Sequence, residues 1–332
     1  MRMLLCSIVI LVLLCVSGAR ATSPTTPTNS VAQALLWQAR QYTHIKTIHF
    51  LAVGHDKFTK PNGKTETSTQ RYEYWGAGIK YRIDFQQFVP QADSDFLVTD
   101  NGRHFRMFNR IAALMTIEPT HPIHHGVPVT PNPILMPLVP LAPFFPPRLG
   151  TPHMQWVNLA RFTRNPQSIF DRCREVAPCG KKGLGVGLHG CILGAYQNYS
   201  VHVRFTIGGG MHHLLVTGWT ANYLQLAGNY MRLSHIKYRA FRLPSRRKIF
   251  LPVAFDEKGM TKNMPGPGRG GWSNKVVISN VSIDQPIPPG EFNINYKLAR
   301  FIKEVSPDGK AQFFSVYPTT SPAPPRERNS NK

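Results

Sequence analysis

Three cysteines in the second half of the chain are the residues best suited to redox or metal chemistry. They are Cys173, Cys179 and Cys191, and His189 is the nearest candidate for a fourth ligand. No Cys-x-x-Cys pair occurs, so the spacing favours a disulfide over a three-thiolate zinc site. An oxidising compartment permits one disulfide among the three, and the spacing does not determine which two pair. We expect no metal here.

Two groups of histidines are a second candidate for metal chemistry. They are His121, His124 and His125, and the adjacent pair His212 and His213. Because no Asp or Glu accompanies them at matching spacing, we interpret them as solvated loop residues. The chain has 17 Asp and Glu against 39 Lys and Arg, and nothing in their spacing indicates a pair of catalytic carboxylates.

The sequence lacks the motifs of nucleotide binding and of acyl transfer. The run Gly183–Gly187 lacks the preceding strand and the lysine-serine pair of a phosphate loop. No Gly-x-Ser-x-Gly elbow occurs. The sequence therefore predicts a protein that is not an enzyme and has no catalytic residues and no cofactor. A secreted hydrolase is an alternative that would need His and Asp or Glu to converge at a pocket.

The first residues have the pattern of an export signal. Arg2 precedes the apolar run Leu4–Val16, and Ala19 and Ala21 are small residues at a cleavage site. The apolar run is shorter than the roughly 20 residues that span a bilayer. Met1–Ala21 is therefore predicted to be a cleaved signal peptide, which implies a periplasmic location.

The charge of the chain indicates an anionic partner. The net charge is +22 at pH 7, and such a field attracts anionic lipid head groups or nucleic acid. Because an exported protein rarely meets nucleic acid, we expect an anionic membrane surface. A merely solvated basic surface is the alternative.

The elements that would position any site are mostly strands. Residues 22–29 read as a flexible leader, Val31–Tyr42 have the apolar spacing of an amphipathic helix, and strands follow. Tyr81, Ile83 and Phe85 line one face of such a strand. Asp256–Gly259 read as a turn.

A proline-rich apolar segment interrupts the strands. Pro119–Pro152 is too rich in proline for a central strand, so its apolar residues must be buried or must cover something. The tail 317–332 consists of proline, serine and charged residues and is predicted to be disordered.

Three stretches of the sequence resemble a known family. The family is that of the lipoprotein carrier LolA, which includes LolB, the LppX group and the sensor RseB. The stretches are Val31–Tyr42 with Ile45–Phe50, Ile79–Phe85 with Phe96–Phe105, and Leu251–Gly259 with Lys275–Asn280 and Pro286–Phe292.

The resemblance implies a fold and a binding mode. The fold would be mainly β with α: a strongly curved antiparallel sheet, an unclosed half-barrel, wrapped around helices and a Pro-rich lid near Leu135–Phe145. It would form a single domain over residues 30–316, with insertions near 119–152 and 173–194. The family's gating arginine is not carried over, because Trp75 and Gly76 are the nearest positions here.

The resemblance also implies a function: binding and transport of lipid or lipoprotein acyl chains, without catalysis. The alternatives are an RseB-like sensor with an inner- or outer-membrane protein partner and, if the apolar strands form a dry core, an interaction module. The predicted ligand-binding residues of the acyl cavity are Trp75, Tyr81, Ile83, Phe85, Phe96, Phe105, Leu138 and Phe144.

Overall fold

The computed structural model describes residues 30–78, 80–89, 91–119, 133–144, 162–166, 173–178, 187–196, 199–208, 215–223, 228–261 and 270–316. Helix α1 spans Ser30–Tyr42, a 3-10 helix spans Pro133–Phe144, and shorter helical turns lie at 162–164 and Tyr296–Leu298. The strands are β1 Thr47–Thr59, β2 Thr65–Ala77, β3 Lys80–Val89, β4 Gln91–Asp100, β5 His104–Asn109, β6 Leu114–Pro119, β7 Cys173–Pro178, β8 Gly187–Tyr196, β9 Tyr199–Gly208, β10 Leu215–Tyr223, β11 Tyr230–Arg242, β12 Lys248–Thr261, β13 Gly270–Ile283, β14 Phe301–Val305 and β15 Ala311–Ser315.

The described strands form one sheet of 15 strands. Its order is β15-β14-β6-β5-β4-β3-β2-β1-β13-β12-β11-β10-β9-β8-β7. Two antiparallel meanders, β1–β6 and β7–β13, meet where β1 pairs with β13, and β14 adds in parallel beside β6. Since β15 and β7 are the two edges, the sheet is not closed into a barrel, which confirms the predicted fold class.

One face of the sheet carries the main core, and we call it the inner face. It is marked by Phe50, Tyr74 and Ile83 in the first meander and by Phe205 and Leu251 in the second. Every second residue of a strand is buried on this face. In β1, for example, buried and half-buried residues alternate from Ile48 to Gly54. The inner face is therefore where an apolar ligand would have to bind.

Helix α1 packs on the inner face of the second meander. Its buried stripe of Leu35, Ala39 and Tyr42 lies against strands β7 to β10 and β12. The apolar residues whose helical spacing predicted α1 are thus the residues that the helix buries.

The 3-10 helix also lies on the inner face. Ile134, Leu135, Met136 and Leu138 are buried in the main core, and the Trp219 indole donates a 3.0 Å hydrogen bond to the Met136 carbonyl. The part of the predicted lid from Leu135 to Leu138 is therefore buried inside the molecule. Proline lacks an amide donor, so this apolar segment packs as a short helix and not as a strand.

A smaller core covers the outer face of β4–β6. Leu97, Phe108 and Met115 pack there against Ile294 and Ala299 of the segment before β14. This segment reaches β6 from the far end of the chain, and the hairpin β14–β15 then extends the sheet.

The structure describes residues that belong to two of the predictions made from the sequence. The turn predicted at Asp256–Gly259 is wrong, because β12 runs through it and pairs with both β11 and β13. Part of the segment 173–194 forms the edge hairpin β7–β8. The predicted signal peptide, leader and tail lie outside the described residues.

Candidate functional site

The structure brings most of the predicted lining residues to one face. Tyr81, Ile83, Phe105 and Leu138 are all buried side chains of the main core. Phe85 and Phe96, which pair across β3 and β4, are partly buried and pack against the same core. These residues share the inner face, and whether they bind a ligand stays a prediction.

Two predicted residues do not join this group. Trp75 lies on the opposite face of β2 and stacks on His49, with ring centroids 3.6 Å apart. The alternation of β2 buries Tyr72 and Tyr74 on the inner face and so turns Trp75 outward. Phe144 ends the 3-10 helix, and its side chain lies outside the described residues.

An aromatic stack forms the floor of the inner face in the first meander. The ring of Phe50 lies 6.0 Å from that of Tyr72 and 5.3 Å from that of Tyr74, and the two tyrosine rings are nearly parallel. Tyr74 lies flat over Gly76: a Cβ at that position would be 2.7 Å from a ring carbon of Tyr74. Glycine thus allows the ring to lie against the sheet.

Next to this floor is a group of tyrosine hydroxyls, which we call the tyrosine cluster: Tyr72, Tyr74 and Tyr81 with Asp100. The hydroxyls of Tyr72 and Tyr81 are buried and have no hydrogen-bond partner among the described residues. Burial raises the pKa of Tyr81 well above its ordinary value, and Asp100 and Tyr74 raise it further. Burial, Tyr74 and Tyr81 likewise raise the pKa of Tyr72. The two phenols that need acceptors, those of Tyr72 and Tyr81, are therefore neutral and lie close together.

The two helical elements and the tyrosine cluster occupy different halves of the inner face. Helix α1 and the 3-10 helix pack chiefly on strands β7 to β12. The tyrosine cluster and the predicted residues Ile83, Phe85 and Phe96 belong to β2–β4. The first meander is therefore the half of the inner face on which a ligand would not compete with α1.

A polar row crosses the inner face at the central strands. Asn274 of β13 is paired in register with Asp56 of β1 and Glu257 of β12, and its amide nitrogen donates to Glu257 at 3.3 Å. Burial and the nearby Asp56 raise the pKa of Glu257 to about 7, although the bond from Asn274 opposes this. Burial also raises the pKa of Asp56. Both carboxyls are thus held in an environment that disfavours their charge.

A basic groove of about 630 Å³ lies at the ends of β1, β12 and β13. Lys57, Lys60 and Lys258 line it, together with the apolar side chains of Met260 and Trp272. Lys57 and Lys258 are exposed, whereas Lys60 forms a 2.6 Å ion pair with Glu66. The groove combines positive charge with apolar surface.

The cysteines lie at the edge of the sheet. Cys173 pairs with Gly194, and Cys191 pairs with Ala177. The two cysteines are therefore about three residues apart along the ladder, on the order of 10 Å, which exceeds the Cα separation that a disulfide spans. Cys179 lies outside the described residues. Among the described residues, no group of three His, Cys, Asp or Glu could hold a metal ion.

Sequence reasoning missed the residues that give the inner face its polar features. Tyr72 and Tyr74 could have been found from the same alternation that identified Tyr81, because they alternate with Glu73. Asp56, Asn274 and Glu257 carry no local signal, since they meet only through the pairing of β1, β12 and β13.

Comparisons with known proteins identify similar solved structures but no family. No protein-family model matches the chain, and no curated protein sequence matches it. A crystal structure of a DUF1329 family protein from Desulfovibrio piger has a TM-score of 0.43 and 11% identity, and the match covers 81% of this chain and 98% of that chain. A LolA superfamily protein from Nitrosomonas europaea has a TM-score of 0.37 and 10% identity, with 80% and 98% covered.

An uncharacterized conserved protein from Thermus thermophilus is more distant, with a TM-score of 0.29, 7% identity and coverage of 83% and 99%. A LolA superfamily protein is among these structures, and the resemblance of this chain to that family stays a prediction. The fold class itself is confirmed by the open sheet. No helix in the described part of the chain is long and apolar enough to cross a membrane.

Proposed function

We propose that the protein binds lipid or lipoprotein acyl chains non-covalently in the periplasm, as a carrier. The observation that carries the proposal is the continuous buried apolar and aromatic surface on the inner face of the first meander. It is built from the strands that carry the sequence resemblance, and it lies apart from the half on which α1 packs.

The physical basis of binding is the removal of the chain from water. Each buried methylene contributes about 0.8 kcal/mol, so roughly ten methylenes would contribute about 8 kcal/mol before the costs of association. Because Tyr81 and Ile83 are already buried, an acyl chain would replace apolar protein atoms that now contact them. The net affinity therefore depends on how readily those atoms give way.

The charge of the protein supports transfer at a membrane. A net charge of +22 attracts anionic head groups, and the exposed lysines Lys57 and Lys258 flank a groove with apolar walls. Such a surface would bring the carrier to an anionic bilayer, where an acyl chain can pass between lipid and protein.

The proposal is tested by native mass spectrometry of the mature protein purified from an envelope fraction, followed by solvent extraction of bound material. Bound mass that resolves into phospholipid or acylated peptide would support a carrier. A mass equal to that of the bare chain, unchanged after incubation with lipid and with a lipopeptide, would overturn the proposal. In that case the inner face is a dry core, and a pull-down with membrane proteins would test the sensor alternative.

A further inference from the structure

Two hydroxyls of the tyrosine cluster have no partner in the part of the chain that the structure describes. They are the buried hydroxyls of Tyr72 and Tyr81, two residues that are 3% and 1% exposed. A buried donor without an acceptor costs stability, so such groups are rare in folded proteins. Two of them on one apolar face indicate that an acceptor is supplied from outside the chain.

The register places these hydroxyls around one point. Tyr81 of β3 pairs with Gly76 on one side and with Asp100 on the other. The ring of Tyr74 leans over Gly76, with its hydroxyl 2.8 Å from the place of a Cβ there, so it lies beside Tyr81. Tyr72 lies on the same face of β2, two residues before Tyr74. The side chains of the cluster therefore lie side by side at one end of the aromatic floor, close enough for Tyr74 and Tyr81 to raise the pKa of Tyr72.

A carboxyl group beside the hydroxyls restricts which acceptor groups can bind there. Asp100 is 1% exposed and accepts a 2.8 Å hydrogen bond from the amide of Gly102. A buried carboxyl group next to the phenols disfavours an anionic ligand group, because two negative charges would share a site shielded from water. A neutral acceptor satisfies the phenols without this repulsion.

We propose that the tyrosine cluster binds the carbonyl oxygen of the ester or amide that joins an acyl chain to its head group. This inference rests on the proposed function and names its ligand class: neutral acyl esters and amides, as opposed to free fatty acids. Tyr72 and Tyr81 donate to the carbonyl oxygen, while Phe50 and Ile83 contact the chain that leads away from it. No bond is formed or broken.

The test compares three probes of equal chain length: monopalmitoylglycerol, its hexadecyl ether analogue without the carbonyl, and palmitate. Affinities are measured by displacement of a fluorescent fatty-chain reporter from the mature protein. We expect the ester to bind roughly tenfold more tightly than the ether, which is the effect of about one hydrogen bond to a buried donor. Palmitate is expected to bind more weakly than the ester at neutral pH.

Variants separate the hydroxyls from the rings. In Tyr72→Phe with Tyr81→Phe, the preference for ester over ether should vanish, while the affinity for the ether stays unchanged. Thermal stability of the ligand-free variant should be equal or higher, because two unpaired hydroxyls are removed. Tyr230→Phe is the matched control, since Tyr230 is half-buried on β11, outside the cluster.

The outcomes are distinguishable. Equal affinity for ester and ether in the parent protein, or an unchanged ester preference in the double variant, overturns the inference and leaves the proposed function standing. Tighter binding of palmitate than of the ester also overturns the assignment of a neutral carbonyl. If none of the three probes displaces the reporter or changes the native mass, the proposed function fails and the inference fails with it.

Discussion

The side-chain amide of Gln38 donates a 2.8 Å hydrogen bond to the hydroxyl of Tyr238, 200 residues along the chain. The same amide nitrogen donates to Tyr42, and its oxygen accepts from the amide of Val216 at 3.0 Å. Tyr238 in turn donates to the Val216 carbonyl at 2.6 Å. This network fixes α1 to β10 next to the irregularity between Val216 and Gly218. In contrast to Tyr72 and Tyr81, the hydroxyl of Tyr238 has both an acceptor and a donor.

Loss of the network around Gln38 should lower the free energy of unfolding. Gln38→Leu keeps the apolar contacts of α1 but leaves the Val216 amide without its acceptor, so we expect a loss of about 2–4 kcal/mol in the free energy of unfolding. Chemical denaturation measures this. Gln33→Leu makes the same change at an exposed position of the same helix and should cost less. Equal effects of the two variants would contradict the role of Gln38.

The contact between Gly76 and Tyr74 predicts a steric effect. Gly76→Ala would place a Cβ 2.7 Å from the Tyr74 ring, which must shift, and we expect a loss of about 1–3 kcal/mol. Thermal unfolding measures it. Gly271→Ala is the control, because its nearest neighbour is the flexible end of Met260 at 3.2 Å. The same cost at both sites would argue against a rigid aromatic floor.

Glu257 predicts a dependence of stability on pH. Its pKa rises from 4.5 in the reference state to about 7 in the folded protein, so the folded state binds more protons between these values. The contribution of Glu257 to the free energy of unfolding should therefore be greatest below about pH 4.5. It should be lost as the pH rises through 7, and the total loss is roughly 3 kcal/mol. The raised pKa of Asp56 acts in the same direction.

Denaturant midpoints measured from pH 5 to pH 8 check this dependence. Glu257→Gln should flatten the decline, because the amide neither titrates nor carries charge. Glu304→Gln removes a carboxylate from an exposed position of β14 and should leave the slope as it is. A parent protein whose stability increases over this interval would rule out the protonated Glu257.

The basic groove predicts salt-dependent attachment to anionic membranes. Charge reversal by Lys57→Glu with Lys258→Glu should weaken binding to phosphatidylglycerol vesicles by roughly tenfold or more at low salt. The difference should shrink at high ionic strength because the charges are screened. Co-sedimentation measures binding. Lys310→Glu, in the exposed turn between β14 and β15, serves as control, and an equal loss there would point to net charge alone.

The register of β7 and β8 predicts which cysteines do not pair. Peptide mapping of the oxidised, non-reduced protein should yield no Cys173–Cys191 crosslink, because the ladder keeps these residues about three positions apart. Any disulfide within the chain should therefore include Cys179. Detection of the Cys173–Cys191 crosslink as the main species would show that this edge hairpin has a different register.

The features that sequence predicted well are those encoded locally. The spacing of Leu35, Ala39 and Tyr42 predicted α1, and the alternation of Tyr81 and Ile83 predicted their shared face. Asp100-Asn101-Gly102 is likewise a local hairpin signal, and Gly102 has a φ of +86° in the turn between β4 and β5. Each of these follows from neighbours within a few residues.

What sequence did not predict depends on pairing between distant strands. Trp75 was predicted to line the acyl cavity. However, Tyr72 and Tyr74 occupy the inner positions of β2, and the alternation of side chains along the strand then places Trp75 on the outer face. Asp256 and Glu257 looked like turn residues, yet β11 and β13 on either side hold them in an extended strand. At such positions, pairing with neighbouring strands outweighs the local propensity of the residues.

The pairing of β1 with β13 has a consequence for how the chain folds. Gly54 pairs with Val276, so the two meanders become one sheet through residues that lie more than two hundred positions apart in the chain. Each meander is built from neighbouring hairpins and has low contact order, whereas the seam between them is strongly non-local, which slows its formation. Until β13 arrives, one edge of β1 has unpaired backbone groups, and strands in that state are prone to intermolecular association. Assembly of the inner face is therefore the late and vulnerable step of folding.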